Sequence, residues 1–285
     1  MELEMEFIRK LPSPQELKME HPVDPGLYQI KTRRDQEIRD ILTGKDARFL
    51  LIIGPCSADN EDAVTEYCTR LARVQEEVKE TLFLIPRVYT NKPRTIGVGY
   101  KGMLHQPDPH GGEDMLKGIL ACRKMHERVI RETGFTCAEE ILYPENHRYL
   151  SDLISYAAIG ARSVEDQLHR MIASGVGIPV GMKNPTSGDI SVMLNSIAAA
   201  QHEQQFLFRG WEVRTKGNPL AHAMWTSLAG VCPTIITKTW SVSMNPMESG
   251  AFPIQRSLSM PTMPIQGKNT WNRFALQMMF YTAAI

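Results

Sequence analysis

The feature that most constrains this chain is an alternation. From about residue 49 to about residue 210, short and nearly continuous apolar stretches are separated by longer amphipathic ones. FLLIIGP (49–55) predicts a buried strand. Residues 60–79 predict a helix, because Val64, Tyr67, Leu71, Val74 and Val78 recur at steps of three and four. LFLIPRVYT (82–90) predicts the next strand, and a helix near 113–132 sets Leu116, Ile119, Leu120 and Ile130 on one side. GFTCAEEIL, YAAIGAR and IPVGMKN predict three more strands, with helical segments near 146–154, 163–174 and 190–200, followed by QQFLFRG. Strands that are apolar along their whole length are buried on both faces, which implies a parallel sheet covered by helices.

Polar residues collect just after the strand ends: Cys56 and Ser57, Arg87, Glu139 and Glu140, Arg162, Lys183. Both a (β/α)8 barrel and a doubly wound sheet place their sites at strand C-termini. No GxGxxG or GxxxxGK[ST] marks a nucleotide site, which favours an α/β chain of the TIM-barrel type. Before it, residues 1–45 predict an N-terminal helical extension, with a helix around Tyr28–Leu42 that stops at Gly44.

Charge excludes some partners. Lys plus Arg equals Asp plus Glu at 32 each, so bulk electrostatics give no reason to expect nucleic acid or an acidic membrane surface. No run of 18 apolar residues exists, and the acidic N-terminus lacks the apolar core of a secretory signal. Five cysteines without close pairing suggest a reducing compartment. The expectation is a cytoplasmic, soluble protein.

Within this neutral chain, RVYTNKPRT (87–95) sets Arg87, Lys92 and Arg94 on one strand end and its loop. Arg162 and Lys183 follow two other strands. One basic loop alone fits a solvated surface. Cations from several strand ends fit a pocket for phosphates or carboxylates, which guanidinium and ammonium groups bind well. Cys56 by pattern fits a small core residue as well as a metal ligand, and Glu139 with Glu140 fits a surface pair as well as a pocket. His105, His110, His147 and His169 have no metal-binding spacing around them.

IIGPCSADN, RVYTNKPRT with the following Lys101–Gly102 pair, AIGARSVEDQLHR and VGMKNPTSG together resemble the class I 3-deoxy-D-arabino-heptulosonate 7-phosphate (DAHP) synthases, from about residue 5 to Ala223. The resemblance implies a (β/α)8 barrel that condenses phosphoenolpyruvate with erythrose 4-phosphate, releasing phosphate, at the head of the shikimate pathway. It implies that Arg87, Arg162 and Lys183, with the backbone at Ala161, hold phosphoenolpyruvate. Lys92, Pro93, Arg94 and Thr95 would line the erythrose 4-phosphate site, and Lys92, Glu140 and Lys183 would act in catalysis. Cys56 would be one ligand of a divalent metal of the Mn, Fe, Co or Zn type. A homo-oligomer and feedback by an aromatic amino acid through the N-terminal extension are further implications.

The resemblance stops after LAHA. Residues 224–285 hold five charged residues, no Asp, three of the four Trp and seven of the sixteen Met. The family's I-x-R-G strand, its PNYHYEDL-like segment and its metal His, Glu and Asp do not appear there. With suitable codons, however, GVCPTIITKT read from the third base gives CVPNYHYED, and SMPTMPIQGK in that same frame gives DANHANSGK. The metal His would then span the codons of Thr262 and Met263. The expectation is a partial barrel over 46–223, with about five of eight strands plus the 204–210 region, and an out-of-frame tail over 224–285. Such a chain should not catalyse DAHP formation, and at most should bind phosphoenolpyruvate.

Overall fold

The structure is a computed structural model and describes residues 4–55, 57–92, 94, 97–224 and 234–235. The chain divides into two compact units, residues 1–226 with 233–240, and residues 227–232 with 241–285. All described residues lie in the first unit.

The described chain runs α1 (Pro14–Glu20), α2 (Pro25–Leu42), β1 (Phe49–Ile53), α3 (Glu61–Val78), β2 (Leu82–Pro86), α4 (Met115–Thr133), β3 (Ala138–Glu140), a 3-10 turn (Asn146–Tyr149), β4 (Tyr156–Ile159), α5 (Gln167–Gly175), β5 (Val180–Lys183), α6 (Ile190–Gln201), β6 (Gln205–Phe208), β7 (Trp211–Arg214), β8 (Ala221–Met224) and β9 (Thr234–Ile235). The helices start where side chains can satisfy their free amides. Asn60 accepts from Ala63, Asp114 from Lys117, and Asp166 from His169. Gly134 ends α4 at φ 70°, a left-handed conformation that suits glycine.

β1 and β2 pair in parallel, and β3, β4, β5 and β8 pair in parallel in that order. A parallel bridge from Arg87 to Ala138 joins the two groups. Six strands with helical crossovers therefore form one continuous parallel wall, the α/β architecture expected. Among the described residues the wall does not close on itself, and Thr234–Ile235 meets β1 antiparallel at Leu51 and Ile52.

Two layers of core follow from the two-residue period of a strand. Leu50, Ile52, Phe83, Ile85, Ala138, Tyr156, Ala158 and Met224 share one cluster, which Ile38 and Ile41 of α2 also enter. Ala157, Ile159, Val180 and Met182 point the other way, into a cluster with Ile172 of α5 and Met193 of α6. Both faces are buried, which is why these strands read as unbroken apolar runs.

Two elements differ from the sequence expectation. QQFLFRG does not extend the parallel series: β6 turns at Arg209–Gly210 and pairs antiparallel with β7. Alternating exposure along β6 fits a hairpin better than a strand buried on both faces. The sixth parallel strand is AHAM instead. Asn218 sets its start, donating to the carbonyls of Ala173 and Ile178 and accepting from the Leu220 amide. Residues 146–154 form only a 3-10 segment and the turn that follows it, with Leu150, Leu153 and Ile154 buried without a full helix.

Candidate active site

The site is built where β2, β3 and β5 end. Arg87 follows β2, and its side chain turns back to donate to the carbonyls of Gly54 and Pro55 at 2.9 and 3.0 Å. Gly54 has to be glycine for this approach, since a Cβ there would overlap the Arg87 backbone. Lys183 closes β5 with its Nζ 3.9 Å from Glu140 Oε1. Both cations meet the Tyr89 ring, with the Arg87 guanidinium 5.5 Å and the Lys183 ammonium 5.0 Å from its centroid. Sequence reasoning missed Tyr89. Its only signal was an aromatic residue two positions beyond Arg87 on the same strand end.

Glu140 is 8 % exposed. Burial pushes its carboxyl above the ordinary carboxylate range, against the pull of Lys183, with Glu139 adding to the rise and Arg87 and Arg162 opposing it. Gly160 in AIGARS leaves room for this side chain, because a Cβ there would overlap Glu140 Oε1. Arg162 lies on the turn after β4 and is exposed, and Ala161 beside it is half-buried. Arg87, Glu140, Lys183 and Arg162 are therefore gathered on one side of the wall.

Lys92 and Arg94 sit on the loop after β2. The Lys92 amide donates to the Lys101 carbonyl, and Arg94 Nε donates to the Tyr100 carbonyl at 2.6 Å. Among the described residues, neither side chain is paired with Arg87, Glu140 or Lys183. Pro93, Thr95 and Cys56 lie outside the described residues, as do the tail residues 225–233 and 236–285.

The described side chains do not fit a divalent cation. Glu140 is flanked by Lys183, Arg87 and Arg162, and among the described residues no group of three or more His, Cys, Asp or Glu has the geometry of a metal site. Among the described residues no helix is long and apolar enough to cross a membrane.

Fold and site thus define a parallel α/β protein with a cluster of cations around a carboxyl at its strand ends. The DAHP synthetase I family matches residues 26–230, and the chain belongs to that family. It is 38% identical over 226 residues to the "Phospho-2-dehydro-3-deoxyheptonate aldolase, Trp-sensitive" of Escherichia coli (strain K12), covering 78% of this chain and 64% of that protein. It is 37% identical over 220 residues to the Tyr-sensitive enzyme of that strain, covering 75% of this chain and 61% of the relative. Among solved structures, the phospho-2-dehydro-3-deoxyheptonate aldolase from Francisella tularensis SCHU S4 matches with a TM-score of 0.71 and 31% identity, over 79% of this chain and 66% of that one. The chain thus spans a little under two thirds of the length of these relatives.

Proposed function

We propose that this site serves the DAHP synthase reaction, the condensation of phosphoenolpyruvate with erythrose 4-phosphate to DAHP and phosphate. The observation that carries it is the meeting of Arg87, Lys183 and Glu140 around Tyr89 at three strand ends. Phosphoenolpyruvate carries a phosphate and a carboxylate on three carbons. Arg87 and Lys183, with Arg162 and the Ala161 backbone, offer it donors that suit both groups. Glu140, its carboxyl held up by burial and next to Lys183, is placed to hold or release a proton there. Lys92 and Arg94, with Pro93 and Thr95, would take the phosphate and hydroxyls of the aldose, so that two like-charged reactants are held together against their repulsion.

In this reading a divalent metal, with Cys56 as one ligand, would polarise the aldehyde. The described donors do not form its shell, so no step is routed through it. The related second reading is a chain that binds phosphoenolpyruvate without turning it over, and the lack of the family's metal His, Glu and Asp motifs in residues 224–285 favours it. A homo-oligomer, cytoplasmic location and aromatic amino acid feedback complete the proposal; two relatives are named Trp-sensitive and Tyr-sensitive.

Calorimetric titration of the full chain with phosphoenolpyruvate tests the shared part of both readings. Binding is expected, with Arg87→Ala weakening it by roughly tenfold or more, the order lost with one charge-assisted pair. No heat with wild type, or equal affinity in the variant, would overturn the site. DAHP formation by the same preparation separates the two readings.

A further inference from the structure

Glu139 was an undecided neighbour of Glu140 in the sequence, and the proposed reaction gives it no role. Consecutive residues on a strand point to opposite faces. Glu140 therefore points into the site, while Glu139 points outward beneath α4, 2 % exposed, with His126 Nε2 4.0 Å away. There the Glu139 carboxyl accepts the Thr90 amide on both oxygens at 3.0 Å, the Thr90 hydroxyl at 2.6 Å and the Glu140 amide at 2.9 Å.

Thr90 is the root of the loop that carries Lys92 and Arg94. Its carbonyl accepts from the Leu104 amide at 3.1 Å where the loop returns, and the Lys92 amide bonds the Lys101 carbonyl at 2.9 Å. Gly102, at φ 102°, packs so closely on Thr90 and Asn91 that a Cβ would overlap their backbone. Every polar group of Thr90 is thus used, and two of the three end on one side chain. Thr90 lies outside any strand, whereas Glu140 is also held by pairing of β3 with β4 at Ala158. The loop side depends on Glu139 more than the Glu140 side does.

We propose that Glu139 is a positioning residue that fixes the Lys92–Arg94 loop in register with the Glu140–Lys183 half of the site. The assignment of the loop to the aldose phosphate rests on the function proposed above; the mechanical role does not.

Amide hydrogen exchange on the full chain tests the mechanical role. Glu139→Ala leaves two buried amides without acceptors, so exchange at Thr90, Lys92 and Leu104 is expected to accelerate by roughly ten- to a hundredfold, with α5 and α6 unchanged. Glu139→Gln keeps the oxygen that already accepts both amides and is expected to stay within about threefold of wild type. Should Glu139→Ala fold poorly, Thr90→Val removes only the hydroxyl bond and is expected to give a smaller acceleration confined to the same loop. Unchanged loop exchange, or acceleration spread evenly over α5 and α6, would overturn the proposal. A ligand readout follows: in Glu139→Ala, erythrose 4-phosphate affinity is expected to fall roughly tenfold while phosphoenolpyruvate affinity changes less than about threefold. Equal losses for both ligands overturn the proposal. If wild type binds neither, the functional reading fails while the exchange result still decides the role of Glu139.

Discussion

His222 is expected to make the fold sensitive to acid in a window its neighbours define. The residue is half-buried at the start of β8. Its ring is set between the Leu220 carbonyl, 2.8 Å from Nδ1, and the Tyr156 hydroxyl, 2.8 Å from Nε2. A carbonyl can only accept, so Nδ1 carries the proton and Nε2 accepts from Tyr156. Gly181 on the strand between them makes the contact possible, since a Cβ there would overlap the Tyr156 hydroxyl. Protonating Nε2 would reverse that bond, with the Tyr156 hydroxyl accepting, and would leave a charge in a site that solvates it poorly. Burial of the ring lowers the His222 pKa from the ordinary 6.5 to about 4, with the Leu220 bond opposing. The unfolded chain thus binds the proton more readily than the folded one. The neutral ring's contribution is present above pH 6.5 and is lost as pH falls through 4. At about 1.4 kcal/mol per pH unit, the gap corresponds to about 3 kcal/mol, a large share of a typical domain's stability. Urea unfolding at pH 7 and pH 4, compared between wild type and His222→Gln, isolates the term, because the carboxylates and the other histidines titrate equally in both. Wild type is expected to lose about 3 kcal/mol more than the variant over that interval. Parallel losses, or an imidazole that titrates near its ordinary value by NMR, would refute the reasoning.

Two further outcomes are expected. Because burial raises the Glu140 pKa, its ionisation weakens the fold at pH above the raised value and has no effect below the ordinary carboxylate range. Glu140→Gln should therefore raise the urea midpoint at pH 8 and leave it nearly unchanged at pH 4; a gain of equal size at both would count against the buried charge. For the tail, we propose a frame change near the Ala223 codon. Sequencing the gene should show codons that yield CVPNYHYED and DANHANSGK in one shifted frame, and codons that cannot do so would end that idea.

The sequence by itself determined the order of elements and the chemistry available to them. Runs such as FLLII and YAAI could only be buried on both faces, and the steps of three and four in residues 61–78 could only cover them as a helix. Those local periods also put Arg87, Glu140, Arg162 and Lys183 at strand ends. QFLF takes no assignment from the sequence, because apolar content over four residues does not distinguish a hairpin from a buried strand.

Only the tertiary structure decided which strand-end groups meet. Tyr89 became the ring that Arg87 and Lys183 share because β2 and β5 bring their ends to one side of the sheet, a relation no local period encodes. The pleat separated Glu139 from Glu140, turning two adjacent and chemically identical residues into a loop anchor and a site acid. Likewise Gly181, Tyr156 and His222 come from three strands and have meaning only in register. Long-range pairing fixes these contacts, and a single chain read in order carries their parts but not their distances.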